Sequence, residues 1–145
     1  MEIQNPAGFL NRLGARIVDS ILMTAVMGLI SLVSYGSFFY EGYTPVDLLG
    51  FVYGILLPVM WFGYTVGRKV AGNRIIRMDG NHVGVGNMLL REIVATFVYA
   101  LTLGIGLIVS AFMVGMREDK RAIHDFIAGT YVTYDSPEEI NSVIV

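Results

Sequence analysis

A long apolar segment with one internal charge constrains this chain more than any other feature. From Ile17 to Tyr40 the only charged residue is Asp19, and the other polar side chains are mostly small hydroxyls. A hydrocarbon core of about 30 Å needs roughly 20 apolar residues as a helix, so the segment is long enough to span a bilayer. The pattern predicts a membrane protein.

The charge inside this segment needs a partner, because a carboxylate placed within a membrane helix is costly unless it is compensated. Arg12 and Arg16 precede Asp19 by seven and three residues. At helical spacing the three side chains fall on one face. We therefore expect an ionic feature at the mouth of the first helix.

The overall composition agrees with a membrane location and excludes several classes. The chain is 54% hydrophobic and 15% charged, whereas about a quarter of the residues in a soluble domain are charged. A net charge of −2 argues against nucleic acid as a partner. No cysteine is present, and no spacing typical of a metal site, a cofactor site or a catalytic constellation occurs. We expect neither an enzyme nor a bound cofactor, and the basic region of a signal peptide is missing, so the first segment is expected to remain as an anchor.

Apolar segments and intervening polar stretches predict one domain over residues 1–145, with an all-α polytopic architecture. The predicted transmembrane helices cover residues 13–40 and 46–67, and a third apolar segment covers residues 93–116. A loop at 68–91 and a tail at 117–145 complete the chain.

The loop at 68–91 carries a β signal. Asp79-Gly80 stands between two β-prone runs, which predicts a hairpin within residues 73–86. An isolated hairpin is marginal in water. Another β-prone run at 130–134 is expected to complete a small cytoplasmic β element.

The distribution of basic residues predicts the topology. All ten Lys and Arg lie before the first span, in 68–91 or in 117–121. The positive-inside rule then places the N-terminus and the 68–91 loop in the cytoplasm and the acidic 41–47 loop outside. The third segment has basic flanks on both sides, so a re-entrant hairpin turning at 102–106 is favoured over a full span. The hairpin keeps the C-terminus cytoplasmic and brings 130–134 to the 73–86 element.

Small residues mark candidate helix-packing faces. Ser20 and Thr24 recur at helical spacing in the first segment, and Gly50 and Gly54 do so in the second. Such residues allow close helix approach in membranes. These two faces are candidate seams for packing or for assembly into a homo-oligomer.

Four motifs in order resemble the RDD family, which is named for one arginine and two aspartates. They are Arg12-Leu-Gly-Ala-x-x-x-Asp19, Gly72-Asn-Arg-x-x-x-x-Asp-Gly80, Arg91-Glu92 before an apolar stretch, and His124-Asp125-x-x-Ala-Gly-Thr130. The resemblance implies a multi-pass protein of the bacterial inner membrane. It matches the family's arginine to Arg12 and its aspartates to Asp19 and Asp125, which we expect to form an ionic cluster. Arg16 and His124 are secondary candidates.

Two functions are compatible with these residues. Transport is the role that the resemblance implies, and the hypothesis is a transporter that exchanges small cations for protons, with Asp19 as the titrating group and a homo-oligomer forming the pathway. The alternative is a non-transporting subunit that binds and regulates another membrane protein through the 68–91 loop. One carboxylate beside two arginines is a poor cation site, so a structural ion pair is the simpler interpretation of Asp19.

Overall fold

The computed structural model describes residues 3–39, 41–42 and 44–144. In that part the chain is mostly helical, with one two-stranded sheet. The elements in chain order are α1 (Phe9–Tyr35), α2 (Asp47–Met60), α3 (Val66–Ala71), β1 (Arg74–Arg77), α4 (Val85–Leu101), α5 (Ile105–Met116), α6 (Ile123–Ala128), β2 (Thr130–Thr133) and α7 (Pro137–Ile144).

Helix α1 is the element that the first apolar segment forms. Its 27 residues extend about 40 Å at 1.5 Å per residue. Among the described residues it is the one helix that is both long and apolar enough to cross a membrane. It begins at Phe9, before the expected start at residue 13, and it ends at Tyr35, before the expected end at residue 40. The helix ends there because Gly36 adopts a left-handed φ of 73° and donates its N–H to Leu32 O. Tyr40, the expected end of the span, lies outside the described residues.

The second apolar segment is divided between two helices, contrary to the expected continuous helix over 46–67. Helix α2 has 14 residues, or about 21 Å of length, which is less than the hydrocarbon core. It ends at Met60, shortly after Pro58, and the chain turns at Gly63, whose φ is +92°. Helix α3 follows. Two full spans therefore remain a prediction.

The third apolar segment is also two helices. Leu103 and Gly104 between α4 and α5 have φ values of 50° and 86°. The hydroxyl of Tyr99 donates to Ser110 Oγ at 3.0 Å, although eleven residues of continuous helix would separate the two by about 16 Å. The chain thus bends sharply within the expected turn at 102–106. Re-entry into the bilayer remains a prediction. Helix α4 begins at Val85, so the C-terminal part of the expected loop is helical.

The β element differs in its pairing from the expected hairpin. Strand β1 pairs antiparallel with β2, with Ile75 opposite Val132 and Ile76 opposite Tyr131. Residues 81–84 form no strand, so the hairpin within 73–86 was a wrong prediction. Around the Asp79-Gly80 turn, Arg77 donates its N–H to Asn81 O at 3.1 Å, but no strand follows and α4 begins at Val85. The expected partner at 130–134 does join the element.

The N-terminal leader lies along the other edge of β2. Ala7 N–H donates to Val132 O at 2.8 Å, and Tyr134 N–H donates to Asn5 O at 3.1 Å. Strand β2 is therefore paired on both sides, which satisfies its backbone groups. This pairing places the start of α1 beside α6, which follows the third apolar segment.

The two faces of this sheet pack against different elements, because strand side chains alternate. Ile75 and Val132 belong to a buried cluster that also contains residues of the leader, α2 and α4. Ile76 and Tyr131 pack with Ile140 of α7. The sheet thus joins the two ends of the chain to the helices.

Helix α3 packs against α1 at unusually close range, and Gly67 permits it. A Cβ on Gly67 would lie 2.0 Å from Ala15 O and 2.8 Å from Asp19 Cγ. No side chain fits there without moving α3 away from α1. This approach brings the N-terminal end of α3 to Asp19.

We expect Gly67→Ala to destabilise the protein by about 1–3 kcal/mol, because the added methyl group overpacks the α1–α3 contact. Gly14→Ala is the matched control, since a Cβ on Gly14 has no atom within 4 Å and alanine favours the helix. Thermal unfolding of both variants in a mild detergent measures the difference. Equal melting temperatures for the two variants would contradict the close approach.

Candidate functional site

The buried centre of the molecule is a carboxylate held between two arginines. Asp125 of α6 has no exposed surface. Arg12 Nη1 of α1 donates to Asp125 Oδ2 at 2.6 Å, and Arg91 Nη1 of α4 donates to Asp125 Oδ1. We call Arg12, Arg91 and Asp125 the arginine–aspartate clamp. It joins the first helix, the fourth helix and the C-terminal region.

Each member of the clamp is fixed by further hydrogen bonds. Asp125 Oδ2 also accepts the N–H of Ala122 at 3.0 Å, which caps α6. Arg12 Nε donates to Ala7 O at 3.0 Å. Arg91 Nη1 donates to Thr130 Oγ1 at 2.9 Å. The clamp is therefore a satisfied buried network, which is the form in which buried charges are tolerated.

The charges of the clamp hold Asp125 in its ionised form. Burial alone would raise the pKa of this carboxyl, but the positive charges of Arg91 and Arg12 outweigh burial, and the pKa lies well below its usual range. Stability from Asp125 is accordingly present above its ordinary pKa and is lost as the pH falls below it. Near neutral pH the clamp carries one negative and two positive charges.

His124, the neighbour of Asp125, is buried and uncharged. Burial, assisted by the positive charge of Arg91, lowers the pKa of His124 to about 3. Arg91 Nη2 lies 3.1 Å from His124 Nε2. Because a guanidinium only donates, Nε2 must accept, and we infer that the proton is on Nδ1.

A hydrogen-bonded chain leads from His124 toward α5. His124 Nδ1 lies 2.6 Å from the hydroxyl of Tyr99, which itself donates to Ser110 Oγ. With the proton on Nδ1, the imidazole donates to Tyr99. This chain links α4, α5 and α6 through polar groups.

Asp19 lies in a different environment from the clamp. Its Oδ1 accepts hydrogen bonds from the hydroxyl of Tyr53 and from Gly67 N–H, both at 2.7 Å, and its Oδ2 accepts from Thr65 Oγ1 at 2.5 Å. All three donors are neutral. The expected pairing of Asp19 with Arg12 and Arg16 is not formed among the residues described.

The reason for this difference is the position of α3. Arg12 lies about 10 Å along the helix axis from Asp19 and reaches Asp125 instead. Gly67 allows the backbone of α3 to lie against α1, so the Thr65 hydroxyl and the Gly67 N–H donate hydrogen bonds to the Asp19 carboxylate. The expected cluster of Arg12, Asp19 and Asp125 thus divides into two sites.

Asp19 lines a cavity of about 240 Å³ between α1, α2 and α4, which we call the aspartate cavity. Its charged lining residues are Arg16, Asp19, Arg68, Arg91 and Glu92. In the part of the chain that the structure describes, neither Asp19 nor Glu92 forms an ion pair. Two carboxylates that form no ion pair with any described residue thus line one small cavity.

A larger groove of about 810 Å³ lies on the other side of the same arginines, between α1, α4 and α5. We call it the lateral groove. Most of its wall is apolar, and Arg12, Arg16, Arg68 and Arg91 line it as well. His124, Tyr99 and Ser110 also reach it.

Arg68 of α3 stands out among these arginines. It is buried, yet its guanidinium makes one side-chain hydrogen bond in the described structure, from Nη1 to Asn73 Oδ1 at 3.1 Å. Burial, together with the like charges of Arg91, Arg16 and Arg12, lowers the pKa of Arg68 to about 9. Arg68 remains protonated near pH 7.

The candidate packing residues have mixed positions. Ser20, Gly50 and Gly54 line the aspartate cavity, and Thr24 is exposed. A Cβ on Gly54 would have no atom within 4 Å. A close approach between helix backbones occurs at Gly67 instead, which lies outside the expected faces.

Sequence reasoning missed several residues of these sites. Arg91 was visible in the Arg91-Glu92 motif, but its pairing with Asp125 required the tertiary structure. Tyr53 and Thr65 had no signal, because a hydroxyl in an apolar segment is usually a packing residue. No group of three or more His, Asp or Glu side chains able to hold a metal occurs in the described ranges.

The described residues combine one long apolar helix and two shorter ones with a buried ionic centre, and by length and composition this arrangement is consistent with a small helical membrane protein. The family model described as "RDD family" matches residues 6–129. The chain belongs to the RDD family, and the resemblance seen in its motifs is confirmed. The clamp and Asp19 all lie within the matched range.

One relative covers nearly the whole chain. "Uncharacterized protein YckC" of Bacillus subtilis (strain 168) is 44% identical over 149 residues, which include 98% of this chain and 95% of the relative. No solved structure matches the chain.

We expect Asp125→Asn to destabilise the protein by about 3–5 kcal/mol, because it leaves two buried guanidinium groups without a counter-charge. Asp79→Asn is the matched control. Its ion pair with Arg77 is solvent-exposed, and such pairs contribute about 1 kcal/mol or less. Chemical unfolding in detergent compares the two variants, and a loss from Asp125→Asn no larger than that from Asp79→Asn would refute the stabilising role of the clamp.

Proposed function

We propose that this RDD family protein is a transporter that exchanges small cations for protons, with Asp19 as the carboxylate that binds them in turn. The observation that carries the proposal is that Asp19 and Glu92 line one cavity without ion pairs in the described structure. Carboxylate oxygens are suitable ligands for hard cations. Ionisable groups in membrane helices are functional candidates by default.

The hydrogen bonds around Asp19 support an exchange role. Its donors are two hydroxyls and one backbone N–H, so no fixed positive charge neutralises it directly. The hydroxyls of Tyr53 and Thr65 can each donate or accept. They can therefore accommodate a protonated or an ionised carboxyl without a change in packing.

Asp125 has a structural role in this proposal. It is fully buried and contacts two guanidinium groups, so a proton or a cation does not compete for it near neutral pH. The clamp joins α6 to α1 and α4, the two clamp helices that line the aspartate cavity. This division gives the two family aspartates separate roles.

Transport by so small a chain needs more than one copy. Helix α1 is long enough to span, while α2 and α5 are shorter apolar helices. We propose a homo-oligomer in the bacterial inner membrane. The faces that carry Gly50 with Gly54 and Ser20 with Thr24 are its candidate seams.

We expect Asp19→Asn to lower cation-driven proton movement in proteoliposomes at least about tenfold, because the amide cannot release a proton. Asparagine keeps the fold in place, since its carbonyl can accept from Tyr53 and Gly67 while its amide donates to Thr65 Oγ1. The control is Glu118→Gln, because the Glu118 carboxylate is exposed and lines neither the aspartate cavity nor the lateral groove.

A folded Asp19→Asn variant with full exchange would exclude Asp19 as the working group. If the wild type moves no proton under any cation gradient, the transport proposal is wrong and the alternative applies, in which the protein binds another membrane protein through the 68–91 loop. The protein is then a non-enzymatic subunit that regulates another membrane protein.

We also propose that both termini are cytoplasmic and that the α4–α5 pair re-enters the bilayer. The antiparallel pairing of β1 with β2 requires residues 74–77 and 130–133 to share one compartment. A full span over 93–116 would separate them. The sharp bend at Leu103 and Gly104 supports the re-entrant arrangement.

Single cysteines in this naturally cysteine-free chain test the topology. We expect Ser37→Cys, next to the acidic loop, to react with an impermeant thiol reagent added outside intact cells. We expect Ser142→Cys to react only after permeabilisation. Both serines are exposed, so accessibility alone does not distinguish them. Labelling of Ser142→Cys in intact cells would overturn a cytoplasmic C-terminus.

A further inference from the structure

The lateral groove combines an apolar wall with a positively charged end. Side chains of α5 that line it leave large apolar surfaces exposed, including Ile108 at 58% and Phe112 at 62%. Its volume of about 810 Å³ is within the range of roughly 300–1,000 Å³ that small-molecule sites occupy. An occupant must therefore be largely apolar.

The charged end of the groove has more positive charge than the described residues neutralise. Four arginines line the groove, against the single acid Glu92. Arg12 and Arg91 share Asp125. Arg16 and Arg68 have no carboxylate within ion-pair distance in the described ranges.

The burial of Arg68 makes this excess significant. A buried guanidinium without a counter-charge is costly, because one neutral acceptor replaces little of its lost hydration. Among the described residues, the Arg68 guanidinium has one such acceptor, Asn73 Oδ1. Its reduced pKa, still above neutrality, reflects the same uncompensated environment. An anion beside Arg16 and Arg68 would remove the cost.

We propose that the lateral groove binds an anionic phospholipid, with its phosphate at Arg16 and Arg68 and an acyl chain along the apolar wall of α5. Guanidinium groups match phosphate oxygens in geometry and charge. Basic pockets between membrane helices on the cytoplasmic side are suited to anionic headgroups. The occupant is a lipid rather than free phosphate, because most of the wall that these arginines share is apolar.

This site adjoins the aspartate cavity but does not depend on transport. Arg16 and Arg68 line both spaces, so the single negative charge of a phosphodiester there would also offset part of the positive charge that opposes a cation near Asp19. Asp19 itself does not line the groove. Asp19→Asn removes a negative charge near these arginines, so we expect it to bind the lipid at least as tightly as the wild type while it loses exchange. Failure of this proposal is therefore distinguishable from failure of the transport proposal.

The test uses the full-length protein in detergent, titrated with phosphatidylglycerol or with phosphatidylcholine of the same acyl chains. Native mass spectrometry counts bound lipid, and thermal unfolding reports stabilisation. We expect phosphatidylglycerol to bind and to raise the melting temperature, and phosphatidylcholine to do neither. Inorganic phosphate alone is the third ligand, and we expect it to have no effect.

Variants locate the two parts of the site. We expect Arg16→Gln and Arg68→Gln each to weaken phosphatidylglycerol binding about tenfold. Lys69→Gln removes an adjacent base of α3 that does not line the groove, and we expect it to bind normally. Gly115→Leu should fill the groove and reduce binding, since a Cβ there meets no atom within 4 Å. Arg16 is exposed, so its variant tests the proposal even if Arg68→Gln fails to fold.

Three results would overturn the proposal. Equal binding of phosphatidylcholine would mean that the arginines do not select the headgroup. Full stabilisation by inorganic phosphate would indicate an anion site without a lipid chain. A dimer that Gly115→Leu dissociates, with no bound lipid, would show that a second copy covers the groove.

Discussion

The structure depends on the neutralisation of Asp125 by two arginines. Arg12 and Arg91 are separated from Asp125 by 113 and 34 residues along the chain. All three side chains are buried, so each charge needs the others. The two-stranded sheet makes their meeting possible, because it fixes the leader before Arg12 to the strand that follows Asp125. The clamp and the sheet therefore specify the same arrangement of α1, α4 and α6.

The two family aspartates differ because their partners differ. Asp125 contacts guanidinium groups and stays ionised, whereas Asp19 contacts hydroxyls and a backbone N–H beside a cavity. A carboxylate with neutral donors can respond to a proton or a cation, while one between two fixed charges cannot. This contrast supports a structural role for Asp125 and leaves Asp19 as the candidate for binding a proton or a cation.

The positive charge that remains around Asp19 connects the two proposals. Arg16 and Arg68 are uncompensated within the described residues and face both the aspartate cavity and the lateral groove. Coulomb interactions with Arg68 are strong because this side chain is buried, whereas Arg16 is exposed. An anionic headgroup beside these arginines would offset part of the positive charge that the two carboxylates of the cavity face. Lipid composition would then influence what the cavity binds.

The sequence by itself determined the membrane class, the family and the long first helix, and it selected Arg12, Asp19 and Asp125 as candidate residues. These follow from local patterns, since an apolar run, a buried charge and an ordered set of motifs are properties of the chain alone. Helical spacing also placed Arg12, Arg16 and Asp19 on one face, but a shared face does not decide which groups bond.

Only the tertiary structure decided the partners. Tyr53, Thr65 and Gly67 donate hydrogen bonds to Asp19, because the absence of a side chain at Gly67 lets α3 approach α1. Strand β1 pairs with β2 from the C-terminal region, so it does not pair with residues 81–84 in a hairpin. Both outcomes rest on contacts between distant segments, whose energies no local pattern contains.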